Sequence, residues 1–479
     1  MPLKKQVLSG VFWTFSQQFG VQGISFLVSI ILARLLQPEE FGLVAMIGIF
    51  MGIGAVLMDG GLGQSLIRTK NPDQEDFSTV FFFNLAGSII MYGLVYLAAP
   101  LIADFFEREI LINITRLYCL IFVFNAFSAV QVTRLTKKMD FKTQMFIKIP
   151  SLIISSAVGI FMAYSGFGVW SLVWMALIQA FLQSVQYWLW SQWRPSLVFS
   201  KKKFRNHFKF GLNLTMSGLL DVLFTNAYTI MIGKFFTATQ LGYYNRADSL
   251  KQFPVKNIGV VLGKVTYPLF ASIQEDTVRL KRVYAKIMKM VIYLVAPTLI
   301  FMAVLAEPLF RFLLTDKWLP AVPYFQILCV NGILYPINGY NLNILNVLGR
   351  SDLFLRLEII KKALIVVVLA VSVNFGIFAL LYGSVFTSIM AFFINTRYSG
   401  KFINYSAWEQ TKDLAPYIGL ALICGAILFM FDLLIPTAKN YDLVRLLLGS
   451  LVGCICYFGS SFLLKMSATS ELILLIKRK

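Results

Sequence analysis

Four cationic side chains, Arg246, Lys251, Lys256 and Lys264, fall within one membrane-length stretch that begins near residue 241, and Asp248 is the carboxylate among them. A Lys or Arg at the centre of a membrane helix costs about 2.5 to 3.5 kcal/mol, so four facing lipid would cost roughly 10 to 14 kcal/mol. They are expected to face a wet cavity, where the series suits the binding and passage of an anion. A structural alternative stays open: Asp248 neutralises Arg246 or Lys251, and Lys264 reaches the inner surface along its aliphatic stem. Lys251 and Lys256 flank Pro254 and stand about 140° apart on a straight helix, so only a kink at the proline would turn both inward.

Carboxylates and amides elsewhere extend the candidate set. Asp221, near the middle of the seventh apolar stretch, and Asp59, near the inner end of the second, are candidate sites for a coupling proton or sodium ion, or counter-ions of a nearby lysine. The tenth stretch is rich in amides and tyrosines, among them Asn338 and Asn341, which suit either sugar hydroxyls or hydrogen bonds between helices. Arg34 and Lys234 sit at outer helix ends, where anchoring at the interface competes with substrate contact; Arg34 is kept as a candidate ligand. His207, the only histidine, lies in a basic segment and is expected to be solvated. No phosphate-binding G-x-x-x-x-G-K-[ST] loop, D-x-D pair or H-E-x-x-H motif occurs, and a single histidine on the inner side makes a Ser/His/Asp constellation unexpected. The chain therefore reads as a non-enzyme with no resident cofactor beyond a coupling H+ or Na+.

The elements that must position these residues follow from composition. Of 479 residues 58% are hydrophobic and only 14% charged, with a mean hydropathy of +0.73, which excludes a soluble enzyme and a secreted disulfide scaffold. The five cysteines lie in apolar runs without metal or disulfide spacing and read as small core residues. Apolar runs predict an all-α polytopic membrane protein of about fourteen transmembrane helices, starting near residues 11, 41, 78, 112, 147, 169, 208, 241, 286, 318, 357, 377, 415 and 442. With the N-terminus inside, 31 of the 43 Lys and Arg fall in cytoplasmic segments and only 8 outside, so both termini are expected in the cytoplasm. The net charge of +20 then needs an anionic inner leaflet and no nucleic acid.

The two halves also echo each other. Arg34 to Gly42 (RLLQPEEFG) aligns with Lys234 to Gly242 (KFFTATQLG) at an offset of 200, and Gly166-Phe167-Gly168-Val169-Trp170 with Asn374-Phe375-Gly376-Ile377-Phe378 at an offset near 208. An N-lobe of six helices (1–193), a basic cytoplasmic linker (194–209), a second six-helix lobe (210–400) and two C-terminal helices with a cytoplasmic tail (401–479) follow as a parallel internal repeat. At the repeat offset the first half has Met46, Met51, Val56 and Gln64 in place of the four cations, so the positive charge is expected from one lobe.

The stretches ILARLLQPEEFGLVAM (Ile31 to Met46), DGGLGQSLIRTKN (Asp59 to Asn71), LTKKMDFK (Leu135 to Lys142), GFGVWSLV (Gly166 to Val173) and LGYYNRADSLKQFPV (Leu241 to Val255) resemble the polysaccharide-transporter branch of the multidrug/oligosaccharidyl-lipid/polysaccharide exporter superfamily. The likeness is to O-antigen and exopolysaccharide flippases, and more distantly to lipid II flippases. It implies a bacterial inner-membrane protein that moves an undecaprenyl-pyrophosphate-linked oligosaccharide from the cytoplasmic to the periplasmic leaflet, with Arg246, Lys251 and Lys256 at positions where relatives place cavity cations. Membrane lipids and polysaccharide polymerase machinery are the partners it implies. A cation-coupled multidrug exporter of the same superfamily is the alternative, and the surplus of intramembrane bases and the two extra helices weigh against it.

Overall fold

The computed structural model describes residues 3–471, the side chains of 3–12, 213, 257–265, 267 and 268 excepted. It divides into two compact units. The first, Met1–Gly242, holds α1 (Leu3–Leu35), α2 (Pro38–Asp59), α3 (Leu62–Arg68), α4 (Gln74–Phe106), α5 (Ile110–Tyr118), α6 (Ile121–Lys137), α7 (Phe141–Tyr164), α8 (Val169–Trp190), α9 (Lys201–Thr225), α10 (Ala227–Phe235) and the start of α11 (Ala238–Ser272). The second, Tyr243–Lys479, continues α11 and holds α12 (Thr277–Val304), α13 (Ala306–Leu314), a 3₁₀ turn (Asp316–Ala321), α14 (Val322–Val347), α15 (Ser351–Ser372), α16 (Ile377–Phe402), α17 (Ala407–Asp432) and α18 (Asp442–Leu463). There is no strand among the described residues.

Among the described residues, eleven helices are long and apolar enough to cross a membrane, or twelve if the bent pair α9 and α10 counts as one. The chain is thus an all-helical polytopic membrane protein. Two expected spans fall outside that count, and their charges explain it. α11, 35 residues long, carries Arg246, Asp248, Lys251 and Lys256, and α15, 22 residues long, carries Asp352, Arg356, Glu358, Lys361 and Lys362. Both are helical where the apolar runs predict spans; only their composition departs from a lipid-facing helix.

Local sequence sets the helix ends. Pro38 opens α2 at the first turn, and Gln37 and Glu40 close a capping box, the Gln37 N–H donating to the Glu40 carboxylate at 2.6 Å. The same joint recurs 200 residues on, where α10 ends at Phe235, α11 begins at Ala238, and Thr237 and Gln240 exchange the equivalent bonds at 3.1 and 3.2 Å. The two joints meet. A Cβ at Gly42 would run into the Ala238 carbonyl, and a Cβ at Gly242 into the Pro38 carbonyl, so only glycine lets the starts of α2 and α11 touch backbone to backbone. At the other end of α2, Gly60 and Gly61, with φ of 50° and 64°, turn the chain into α3, and α9 presses its Gly211 onto that turn.

Within the first unit α7 packs on α1 and α8, α4 on α5 and α6, and α2 on α9; within the second α14 packs on α16, and α12 on α14 and α17. Large apolar side chains such as Leu101, Phe161, Met430 and Leu447 are exposed, as lipid-facing residues should be. The cysteines divide: Cys119, Cys329 and Cys424 are buried as expected, whereas Cys456 is half-buried and Cys454 exposed on α18. A buried ion cluster ties the last two helices to their unit. Arg445 of α18 grips Asp432 of α17 through two bonds of 2.9 and 2.6 Å, and Arg311 of α13 bridges Asp442 at 3.3 Å and Glu307 at 2.5 Å.

Candidate functional site

The cationic segment of α11 is bedded in the second unit. Tyr243 donates to the Lys317 carbonyl at 3.3 Å, and its ring packs edge-on against Trp318 and Tyr324. Arg246, buried, lies with its guanidinium 5.4 Å from the centre of the Trp318 ring, a cation–π arrangement in a desolvated setting. One and a half turns on, Lys251 is buried and its ammonium meets Asp248 at 2.5 Å. Its aliphatic stem fits because residue 332 of α14 is glycine: a Cβ there would stand 3.1 Å from Lys251 Cγ.

The helix runs unbroken through Pro254, so Lys256 turns away from Lys251 and is exposed, with no ion pair among the described residues. The side chain of Lys264 lies outside the described residues. The buried stretch thus carries two cations, Arg246 and Lys251, and one acidic residue, Asp248. Pairing with Asp248 reduces the penalty of holding Lys251 in a dry environment.

The other candidates fall elsewhere. Asn338 donates to the Ser388 carbonyl at 3.0 Å and accepts from Asn395 at 3.3 Å. Asn341 is wholly buried, donating to Gln410 at 2.9 Å and accepting from Gln410 at 3.1 Å and Ser399 at 2.9 Å. Both amides therefore join α14 to α16, and Asn341 also to α17. Asp59 ends α2 with its carboxylate on the backbone amides of Gly63 and Gly61. Asp221, on α9, is exposed and makes no ion pair among the described residues. Arg34 is exposed at the end of α1, and its counterpart Lys234 pairs with Glu107 at 2.8 Å.

Two features depart from the sequence reading. His207 is buried, not solvated: Ser65 Oγ lies 2.8 Å from Nδ1 and Asp76 Oδ1 lies 3.2 Å from Nε2. A Ser/His/Asp constellation therefore exists, because α3, α4 and α9 converge from three distant stretches of sequence. With Ser65 and His207 both buried, no substrate reaches the hydroxyl in this conformation, and the cluster works as a clasp between three helices. The second is Lys148, which is absent from the intramembrane candidates named from sequence: it lies two turns inside α7, half-buried and without an ion pair among the described residues. The helix start set by the Asp140 cap, which accepts from Thr143 N–H at 3.1 Å, is the signal that places it there.

Comparison with known proteins defines the class. A family profile described as "Polysaccharide biosynthesis protein" matches residues 31–323, more than half of the chain, and the chain belongs to that family. It is 26% identical over 356 residues to the teichuronic acid biosynthesis protein TuaB of Bacillus subtilis, covering 73% of each chain. It is 23% identical over 372 residues to the lipopolysaccharide biosynthesis protein WzxC of Escherichia coli, covering 76% of this chain and 75% of that one. Among solved structures, the lipid II flippase MurJ in an inward closed conformation superposes with a TM-score of 0.75 at 14% identity, covering 95% of this chain and 99% of that chain. An inward-facing multidrug resistance MATE family transporter of the MOP superfamily reaches 0.59 at 18% identity, covering 80% and 95%. These two likenesses establish the fold.

Proposed function

We propose that this protein is a flippase that moves an undecaprenyl-pyrophosphate-linked oligosaccharide, a repeat unit of O-antigen, capsule or exopolysaccharide, from the cytoplasmic to the periplasmic leaflet of a bacterial inner membrane by alternating access. The observation that carries the reading is the burial of Arg246 and Lys251 on one helix of a membrane protein of the polysaccharide biosynthesis family. A pyrophosphate does not cross hydrocarbon bare; a guanidinium and an ammonium replace its hydration by charge-assisted hydrogen bonds, while the polyprenyl tail stays in lipid.

The chain crosses the membrane fourteen times in this reading: α1, α2 with α3, α4, α5 with α6, α7, α8, α9 with α10, α11, α12, α14, α15, α16, α17 and α18. The joints at Leu35/Pro38 and Phe235/Ala238 support two parallel six-helix repeats, and the distribution of basic residues supports cytoplasmic termini. The protein does no covalent chemistry. Asp221, an exposed carboxylate in mid-helix, is the coupling residue for H+ or Na+, and polymerase machinery takes up the translocated unit.

Leaflet-resolved transport of a labelled undecaprenyl-pyrophosphate oligosaccharide in proteoliposomes, with and without a proton or sodium gradient, tests the proposal. Gradient-dependent movement of the glycolipid is expected. Movement of a small organic cation and no glycolipid would replace this reading with the drug-exporter one.

A further inference from the structure

A polar cavity of about 610 Å3 lies in the first unit, at the end of α6 and α8 where the chain leaves α8 for the non-helical segment 191–200. Its cations are Arg134, Lys138 and Arg194, and its lining holds one carboxylate, Asp140. That carboxylate is engaged at the start of α7, accepting from Thr143 N–H at 3.1 Å and Thr143 Oγ1 at 2.8 Å. Arg134 lies over two rings, 5.1 Å from the centre of Phe77 and 5.4 Å from that of Trp193, which hold the guanidinium plane in place. Its donors meet no acceptor among the described residues, and Lys138, one turn on, makes no ion pair among them either. Arg194 is fixed from behind, donating to the carbonyls of Ser191 at 2.6 Å, Trp188 at 2.8 Å and Trp193 at 2.9 Å.

The walls are equally fixed. Trp193 Nε1 donates to Gln74 at 2.5 Å, Gln74 donates to the Arg194 carbonyl at 2.7 Å, and the segment continues along α4 through Ser196 N–H to Ser78 Oγ at 3.0 Å. A rigid cluster of donors with a cationic surplus is built for an anion with several acceptor oxygens, and Arg134 offers a fork that matches two of them. The rim says which anion. Leu189 is 74% exposed and Leu197 95% exposed, and Trp190, Val198 and Phe199 are exposed beside them. Apolar side chains so bare, next to a basic pocket at the end of membrane helices, belong in the interfacial layer of a bilayer.

We propose that this cavity binds the phosphate of an anionic glycerophospholipid, its acyl chains lying along the apolar rim, as a lipid site separate from the cations of α11. The shared chemistry is a phosphate group, which a lipid or a soluble anion can supply. Native mass spectrometry of the full chain, titrated with phosphatidylglycerol, with phosphatidylcholine, and in a third arm with inorganic phosphate competing against phosphatidylglycerol, separates the sources. Phosphatidylglycerol is expected to bind in preference to phosphatidylcholine and to resist displacement by phosphate. Arg134→Gln with Lys138→Gln should weaken it by roughly tenfold or more, since even one lost charge-assisted hydrogen bond accounts for about tenfold. Arg134→Lys, which keeps the charge and loses the fork, should fall between. Lys138→Gln, at an exposed position, tests the site even if the Arg134 variants fold poorly, and should by itself lower the affinity. Equal retention of the two lipids, full retention by Lys138→Gln and the double variant, or displacement by inorganic phosphate would each overturn the proposal.

Discussion

Lys251 and Lys256 differ by five residues, and on an unbroken helix that difference decides their roles. Lys251 is buried against Asp248 and α14, whereas Lys256 is exposed. Lys251→Gln should therefore lower transport by roughly tenfold or more at unchanged protein level, Lys256→Gln by less, and the double variant should abolish it. Full glycolipid transport by the double variant would remove the cationic site from the mechanism. A second residue-scale expectation concerns pH. The Lys203 ammonium beside Asp73 holds that carboxyl at about 2, below its ordinary 3.8, with the Asp76 N–H adding to the effect. The folded value is depressed, so the stabilisation is complete above about pH 4 and is lost as pH falls through about 2. Asp73 is exposed and solvent screens the pair, so the contribution is small. Thermal unfolding of wild type and Lys203→Gln should differ at pH 6 and converge toward pH 2; a constant difference would show that Lys203 acts by packing.

Between elements, two contacts carry more than any single residue. The reciprocal approach of Gly42 to Ala238 and of Gly242 to Pro38 leaves no room for a Cβ. Gly42→Ala or Gly242→Ala should each cost about 1 to 3 kcal/mol, read as a lowered unfolding temperature, because the two helix starts must separate. An unchanged midpoint in both would mean that the starts of α2 and α11 part at no cost. The ion cluster at the ends of α13, α17 and α18 is the other. Arg445→Ala leaves Asp432 buried without its partner and Asp442 with Arg311 alone, and should cost about 3 to 5 kcal/mol, whereas replacing Arg445 and Asp432 together by Met and Leu should recover much of the loss. Chemical denaturation in detergent compares the two; equal losses would show that the pair matters for its volume.

At the scale of the whole molecule, the proposed coupling through Asp221 makes a prediction of its own. Asp221→Asn should leave downhill glycolipid exchange intact and remove its dependence on an imposed gradient, measured in proteoliposomes under a proton and a sodium gradient in turn. Retained gradient dependence would move coupling to another carboxylate. The polytopic helical class and the cationic segment of α11 could be read from the chain alone, because the membrane makes hydropathy and the placement of Lys and Arg strong signals over short windows, and the family through the resemblance of stretches such as Leu241 to Val255. Which of those cations are buried, the amide network through Asn341, the clasp of Ser65, His207 and Asp76, and the polar cavity at Arg134 were settled only by tertiary structure. Each joins residues far apart in sequence, and the periodicity of one helix shows which face a side chain occupies without showing what that face meets.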